Sequence, residues 1–341
     1  MLIQSIKTEN ELETFIENSF KLEDLDVVLD KNSRVLVEPN VVSTKPWPET
    51  TDPLSLNLLL RHLLELVKPE NIDISNGTSA DDCLGQVDQT RPISQREIRR
   101  IWQGFIDKYY VQGSFSPPVA DKVNIYAQWV LDVSDLGKLV KTKYGKYGLK
   151  IKDISRLKSV TKTIKIDDRS YSFEMVDTSE YDGVITLPVL KGHTRCEYTG
   201  ALKLLYGLVL PYYKLKLHVQ ACNSKDAETV SKNASPDEPR DKLYSDEFSR
   251  LIGELHTVID APTFTVLDAR RFQSVQKEYS YPNKIYRVSL NTMISGWEPA
   301  QVDAAAIRLL DEKVSYRCKT NALLRELRNH PAYVESFNLL S

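Results

Sequence analysis

Short apolar runs that stop at a proline or a polar loop limit the folds open to this chain more than any other feature. Residues 34–40 form such a run, which predicts a buried strand that ends in a loop. Thr51 or Asp52 can then cap a leucine-rich helix over residues 54–67, and residues 71–75 predict a second strand. A strand, helix and strand in this order predict an α/β fold with a mainly parallel sheet flanked by helices.

The same signals continue toward the end of the chain. Further strands are predicted at 171–176, 182–188, 257–260 and 288–294, and further helices at 9–20, 94–109, 247–255, 299–310 and 321–329. We find no internal repeat and no clean linker between two domains. The sequence therefore predicts one α/β domain over residues 1–341, with its core at about 35–310.

Two segments differ from the rest in composition. Residues 138–165 hold ten lysines or arginines and a single acid, Asp153, which predicts an inserted basic, hairpin-rich segment over residues 138–170. Its mixture of basic and aromatic residues is also typical of a nucleic-acid surface, but a solvated hairpin is the favoured interpretation. The polar residues 223–241 predict a flexible surface loop.

Composition excludes several classes of protein. Among the 341 residues, 45 lysines and arginines against 47 acids give a net charge of −2, which offers no general attraction to nucleic acid or membranes. The N-terminal residues lack the apolar run of a signal peptide, so a cytoplasmic location is predicted. The four cysteines form no C-x-x-C pair, which argues against an iron–sulfur cluster or a zinc ribbon.

The densest group of polar residues follows the strand predicted at 182–188. These residues predict a loop that holds Lys191 and His193, and a helix is predicted to begin near Thr199. Lysine side chains and the free N–H groups of a helix start both favour phosphate or carboxylate, and a histidine can serve as acid, base or metal ligand. The alternative is that the cations are solvated and His193 is structural. The common nucleotide and hydrolase fingerprints are absent from the sequence.

Several motifs resemble domain of unknown function family 362 in their order and spacing. They are Glu38 to Val42, Thr50 to Pro53, Leu187 to His193, Thr199 to Lys203, Tyr206 with Gly207, Lys214 with His218, and Val302 to Ala304. The resemblance spans about residues 35–310. Members of this family are often fused to ferredoxin-type modules and generally have no assigned catalytic role, so the resemblance implies a fold and a site rather than a reaction.

The resemblance also implies which polar residues form the site. Those that match the family pattern are Asn40, Thr51, Asp52, Lys191, His193, Thr199, Lys203, Lys214, His218, Asp260 and Asp303. The chain departs from the family at Glu38, where lysine is usual, and at Leu204, where asparagine is usual. Ala261 to Phe264 replace a glycine- and proline-rich stretch, and no cluster-binding cysteines follow. These departures argue against a redox role and favour biosynthetic chemistry.

The loop at 187–203 is also distantly similar to a loop of the nickel-pincer lactate racemases. This similarity suggests that His193 and His218 could converge with Asp260, or with Asp303, to hold a divalent transition metal, whose preferred ligands include imidazole nitrogen and carboxylate oxygen.

We therefore expect a cytoplasmic enzyme that acts, with or without a metal, on a small anionic organic substrate. His193, Lys191 and Asp303 are the expected catalytic residues. The expected substrate-binding residues are Asn40, Thr51, Asp52, Thr199, Lys203 and Lys214. The alternative is a non-catalytic protein that binds a ligand or a partner through the same pocket or the basic segment. The sequence leaves the reaction class and the oligomeric state open.

Overall fold

A computed structural model describes residues 1–41, 46–77, 134–193, 196–211, 246–274, 286–314 and 322–335, together with residues 128, 131, 132, 213, 214 and 217. The helix predicted at 94–109 and the loop predicted at 223–241 lie outside these residues. Within the described part of the chain, no helix has the length and apolar character needed to cross a bilayer.

The described residues form a mixed α/β structure. Its strands are β1 (Leu2–Ser5), β2 (Val35–Pro39), β3 (Ile72–Asn76), β4 (Ile151–Asp153), β5 (Ser159–Ile166), β6 (Arg169–Val176), β7 (Gly183–Leu187), β8 (Val189–His193), β9 (Glu197–Thr199), β10 (Thr263–Ser274) and β11 (Tyr286–Gly296). Its α-helices are α1 (Glu9–Leu22), α2 (Leu25–Val28), α3 (Pro53–Leu66), α4 (Asp135–Leu139), α5 (Ala201–Leu205), α6 (Asp246–Glu254), α7 (Pro299–Lys313), α8 (Ala322–Asn329) and α9 (Pro331–Glu335).

The central sheet is mainly parallel, which confirms the predicted fold class. Its strand order is β1-β11-β10-β7-β2-β3-β4. The pairs from β10 to β4 are parallel, whereas β11 pairs antiparallel with both β1 and β10. β5 and β6 form a separate antiparallel hairpin. In a parallel sheet the carboxyl ends of the strands meet at one edge, where ligands commonly bind.

Apolar cores cover both faces of this sheet. Along β2, Val35 and Val37 point into the core formed with α1 and α3, whereas Leu36 points into the core formed with α5, α6 and α7. Burial on both faces explains why the sequence shows a continuous apolar run here rather than an alternating pattern. Asp52 caps α3 by accepting a hydrogen bond from Leu54 N at 3.0 Å, as its position before Pro53 predicts.

Beyond the carboxyl end of β7 the sheet continues as an extension. Pro188 separates β7 from β8, and both strands pair in parallel with the long strand β10. β9 then pairs antiparallel with β8. β8 and β9, which lie where a loop was predicted, therefore form a β-hairpin. The strand β10 was not predicted, and residues 255–258 form a 3-10 helix where residues 257–260 were predicted as a strand.

The basic segment is only partly an exposed hairpin. Its second half contributes β5 and the start of β6, which form a hairpin as predicted, but its first half contributes β4 to the edge of the central sheet. Ile151 and Ile154 are buried on either side of Asp153, which is itself fully buried. Asp153, the lone acid of residues 138–165, thus lies inside the protein, at the carboxyl end of a parallel strand.

Candidate functional site

Three neighbouring parallel strands end in buried polar side chains. Glu38 lies near the end of β2, Asn76 ends β3 and Asp153 ends β4, and at most 2 % of each is exposed. Asn76 and Asp153 are paired in the register of β3 and β4. Asn76 Nδ2 lies 3.5 Å from Glu38 Oε1. The parallel sheet thus gathers these three side chains at its carboxyl edge.

Two lysines join this group from the segment that follows β9. Lys214 is buried, and its ammonium donates hydrogen bonds to the carbonyls of Gly77 at 2.5 Å and Gly207 at 3.1 Å. Lys203 and Lys214 lie over the ring of Tyr206, at 4.5 and 5.9 Å from its centroid. We call Glu38, Asn76, Asp153, Lys203 and Lys214 the strand-end cluster.

Two glycines allow the strand-end cluster to pack this closely. A β-carbon on Gly207 would overlap the carboxylate of Glu38 and lie 3.0 Å from Asn76 Nδ2. A β-carbon on Gly77 would overlap the Lys214 ammonium. The backbone N–H of Gly77 also donates to the carbonyl of Gly207 at 3.2 Å. Any side chain at these two positions would displace the charged groups.

Burial dominates the electrostatics of the two carboxyl groups. Burial raises the pKa of Glu38 well above its ordinary value, and the charges of Lys214 and Lys203 offset this only in part. Burial also raises the pKa of Asp153, against the hydrogen bonds from Ser155 and the attraction of Lys214. Burial therefore favours the neutral form of both acids, against the attraction of the nearby lysines.

Buried side-chain atoms without a hydrogen-bond partner concentrate at this edge of the sheet. In the described part of the chain there are nine such atoms, and six belong to five residues that end or closely follow sheet strands. These atoms are Glu38 Oε2, both amide atoms of Asn40, Asn76 Oδ1, Asp153 Oδ2 and Thr199 Oγ1. Because unpaired buried polar atoms are costly, such a concentration marks this edge of the sheet as the candidate functional site.

The comparison with protein families agrees with the resemblance found in the sequence. The model of the family described as "Domain of unknown function (DUF362)" matches residues 106–308, which is more than half of the chain. The chain belongs to this family. The matched range contains Lys203, Lys214 and Asp303, which resemble the DUF362 pattern, whereas Glu38 and Asn76 precede this range.

The other comparisons add little to this DUF362 assignment. A crystal structure of a protein from Thermotoga maritima is similar to the chain, with 12 % sequence identity and a TM-score of 0.40. The similarity covers 88 % of this chain and 57 % of the other, so the chain spans little more than half the length of that protein. No curated protein matches the chain. The comparisons do not show the expected similarity to nickel-pincer lactate racemases.

Asp303, expected to be catalytic, fixes the start of the helix that carries Lys203. Its carboxylate accepts hydrogen bonds from the backbone N–H groups of Ala201 at 2.7 Å and Leu202 at 2.8 Å, and from the Tyr198 hydroxyl. The N–H groups at this helix start were predicted to receive a substrate anion, but Asp303 already occupies them. Burial nevertheless raises the pKa of Asp303 to about 6, against these three hydrogen bonds.

We expect Asp303→Asn to make the free energy of unfolding less dependent on pH. The folded-state pKa of about 6 exceeds the ordinary value of 3.8, so at a pH between these two values Asp303 is protonated in the folded protein and ionised in the unfolded chain. The resulting stabilisation is complete below the unfolded-state pKa and is lost as the pH rises through 6, at up to about 1.4 kcal/mol per pH unit. Urea unfolding of both proteins across this window measures the slope.

The exposed carboxyl of Asp167 provides the control for this experiment. Arg250 lowers the pKa of Asp167, so Asp167→Asn should remove a contribution to the free energy of unfolding whose dependence on pH has the opposite sign. If the free energy of unfolding of Asp303→Asn depended on pH as that of the wild type does, the burial assigned to the Asp303 carboxyl group would be contradicted.

Thr51 and Asp52, expected to bind substrate, fasten the loop between β2 and α3. The Thr51 hydroxyl accepts from Asn40 N at 2.7 Å and donates to the carbonyl of Leu187 at 2.6 Å. The oxygen of Asp52 that does not cap α3 forms a 2.5 Å ion pair with Arg270. Of these residues only Asn40 presents a buried side chain with no partner for its amide atoms.

Lys191 and Thr199 face each other across the extension of the sheet. They are paired in the register of β8 and β9. The Lys191 ammonium donates to the backbone carbonyl of Glu49, and so holds the same loop against β8. Thr199 is buried and its hydroxyl has no partner within the described residues. Thr199 therefore remains a candidate substrate-binding residue, whereas the Lys191 ammonium bonds to the loop between β2 and α3.

Two of the three expected metal ligands, His193 and Asp260, are not brought together. His193 ends β8, where its Nδ1 accepts a hydrogen bond from the backbone N–H of Cys196 at 3.1 Å. Asp260 precedes the opposite, amino end of β10 and pairs with Lys162 at 2.7 Å. His218 lies outside the described residues. Among the residues that are described, no group of three His, Cys, Asp or Glu side chains could hold a metal ion.

Three members of the strand-end cluster were not predicted as site residues. Glu38 is singled out in the sequence only as a departure from the family pattern, and Asp153 only as the lone acid of residues 138–165. Asn76 directly follows the strand predicted at 71–75, so the rule that ligands gather at the carboxyl ends of parallel strands would have selected it together with Glu38. The signal for Asp153 was weaker, because the strand that it ends has only three residues.

Proposed function

We propose that the chain is an enzyme that binds a small anionic organic substrate at the strand-end cluster and uses Glu38 to transfer a proton. The observation that carries the proposal is the concentration of unpartnered buried polar atoms around Glu38, Asn76 and Asp153. A binding site needs such atoms, whereas a core that serves only stability satisfies them internally.

The charges of the cluster support an anionic substrate. Lys203 and Lys214 both attract Glu38, and Lys214 also attracts Asp153. Burial disfavours the charged form of the two acids, whereas the two ammonium groups can attract a carboxylate or phosphate.

The environment of Glu38 supports a role in proton transfer. A carboxyl group works best as a general acid or base at neutral pH when its pKa lies near that pH, and burial shifts Glu38 in that direction. Its Oε2 atom is buried and has no hydrogen-bond partner within the described residues. His193, the residue first expected in this role, instead closes the turn between β8 and β9.

We expect Glu38→Gln to abolish turnover while retaining binding. Glutamine keeps the shape of the side chain but cannot exchange a proton, so the rate should fall at least about 100-fold. NMR spectra of a mixture of hydroxy acids, oxo acids and phosphate monoesters, recorded before and after incubation with each protein, measure turnover. Calorimetry with any compound that is consumed measures binding.

The control is Glu17→Gln, which makes the same change at an exposed glutamate paired with Lys21. Glu17→Gln should behave as the wild type does. Equal turnover by Glu38→Gln would overturn the role of Glu38. Binding of an acid without any turnover by the wild type would favour the non-catalytic alternative, and the absence of both would overturn the proposal.

A further inference from the structure

The first half of the basic segment is a short helical stretch rather than a hairpin. α4 continues into a π-helical turn (Val140–Tyr144) and a 3-10 turn (Gly145–Tyr147). Between Asp135 and Asp153 the chain contains no acid. The five exposed lysines of this stretch, which we call the lysine patch, are Lys138, Lys141, Lys143, Lys146 and Lys150.

Packing against α3 turns the lysine patch outward. Leu136, Val140 and Tyr144, spaced four residues apart, are buried in the core formed with α1 and α3. The Tyr144 hydroxyl also donates a hydrogen bond to a backbone carbonyl of α3 at 2.9 Å. The inner side of the stretch is thus fixed, and the helical rise spreads Lys138 to Lys146 over about 12 Å of the surface.

The two halves of the basic segment differ in how their lysines are paired. In the second half, Lys158 forms ion pairs with two acids and Lys162 forms one with Asp260. In the lysine patch, the described structure contains a single ion pair, between Lys138 and Asp135 at 3.6 Å, and both side chains are more than half exposed. Such a pair is weak, so the patch keeps its positive charge for another partner.

An exposed aromatic ring lies within the lysine patch. Tyr147 is 46 % exposed, and the Lys146 ammonium lies 4.8 Å from the centroid of its ring. Over residues 135–153, all of which the structure describes, no leucine, isoleucine or valine is exposed, so the stretch offers no aliphatic side chain to a bilayer. Lysines attract backbone phosphates and an exposed ring stacks on an unpaired base, a combination that neither an acidic peptide nor a lipid headgroup uses.

We propose that the lysine patch binds single-stranded nucleic acid without sequence preference. The lysines contact backbone phosphates as point charges, and Tyr147 stacks on one base. The net charge of −2 does not oppose this binding, because interactions between exposed charges are screened beyond about 8 Å at physiological ionic strength. The patch shares no residue with the strand-end cluster, so the proposal is independent of the proposed function.

A variant that lacks three of these charges tests the proposal. Fluorescence anisotropy of a labelled oligouridine, recorded with the whole chain at increasing salt, measures binding. The combined substitutions Lys141→Gln, Lys146→Gln and Lys150→Gln should weaken binding at least about 10-fold and reduce the slope of log affinity against log salt by about 2. Lys143 is left in place because it donates a hydrogen bond to Asn57 at 3.2 Å.

The control removes the same charge from exposed lysines elsewhere. Lys7→Gln, Lys21→Gln and Lys313→Gln, combined in one protein, should keep the affinity and the salt dependence of the wild type. An equal loss of affinity in both triple variants, or no loss in either, would overturn the proposal. Failure of the wild type to bind oligouridine at low salt would also overturn it and leave the proposed function standing.

Tyr147 distinguishes a nucleic acid from other polyanions. Tyr147→Ala should weaken the binding of oligouridine at least about 5-fold, because the stacked base is lost, whereas Tyr147→Phe should retain it. Neither substitution should alter any binding of inorganic polyphosphate, which has no bases. If Tyr147→Ala left oligouridine binding unchanged, or if the wild type bound phosphatidylserine vesicles or polyglutamate but not oligouridine, the assignment of the patch to nucleic acid would be wrong.

Discussion

Lys214→Met should lower the free energy of unfolding by about 3–5 kcal/mol near neutral pH. The Lys214 ammonium donates hydrogen bonds to the carbonyls of Gly77 and Gly207 and attracts the buried carboxyl groups of Glu38 and Asp153. Methionine fills a similar volume but removes this cation from both carbonyls and both acids. Removal of one partner from a buried charged network is costly because the others remain buried. Urea unfolding measures the loss.

The effect of Lys214→Met should grow as the pH rises. Without the lysine the pKa values of Glu38 and Asp153 are expected to rise further above their unfolded values. A carboxyl group with a raised folded-state pKa stabilises the protein only while it is protonated, and this contribution is lost as the pH increases. The difference in stability between the wild type and the variant is therefore expected to be smallest in acid.

Two further variants separate the charge of Lys214 from its packing. Glu38→Gln in the Lys214→Met background should recover part of the lost stability, because it removes a carboxyl group that has lost its counter-charge. Lys21→Met, at an exposed lysine paired with Glu17, should change stability little. A Lys214→Met protein as stable as the wild type at high pH would mean that the cluster is not held by this charge.

The sequence predicted the buried strands better than the extension of the sheet. Gly183–Leu187 is apolar because both faces of β7 are covered, so its pattern is strong and local. The hairpin of β8 and β9 carries Lys191 and His193, which are typical of a loop when considered alone. Their partners, Glu49 and Cys196, come from the loop after β2 and from the hairpin turn. Only the fold supplies those partners.

The outline of the candidate site could also be predicted from local patterns, whereas contacts made only by the fold could not. The sequence selected Asn40, Thr199, Lys203 and Lys214, all of which lie at or close to the carboxyl edge of the sheet in the structure. It could not select Asp153, because the basic residues around it indicated an exposed hairpin. The contact that decides its role is with Lys214, which is distant in the sequence.

Gly207→Ala should lower the free energy of unfolding by about 3 kcal/mol and weaken ligand binding at the strand-end cluster. The added methyl group would overlap the carboxylate of Glu38 and press on Asn76. Glu38 is fully buried at the end of β2 and cannot turn toward solvent, so either its side chain or the backbone at Gly207 must shift. The carbonyl of Gly207 is one of the two that hold Lys214, so a backbone shift would also loosen the lysine.

Gly145→Ala is the matched control for this substitution. No heavy atom lies within 4 Å of a β-carbon added to Gly145, and its φ of −58° suits alanine. That substitution should leave stability unchanged or raise it by up to about 1 kcal/mol, because alanine restricts the unfolded chain. Glu38→Ser in the Gly207→Ala background removes the atoms that the methyl group meets, and it should recover part of the stability. Equal thermal midpoints for the two alanine variants would show that Gly207 does not set the spacing of the cluster, since the two sites differ chiefly in what the new methyl group contacts.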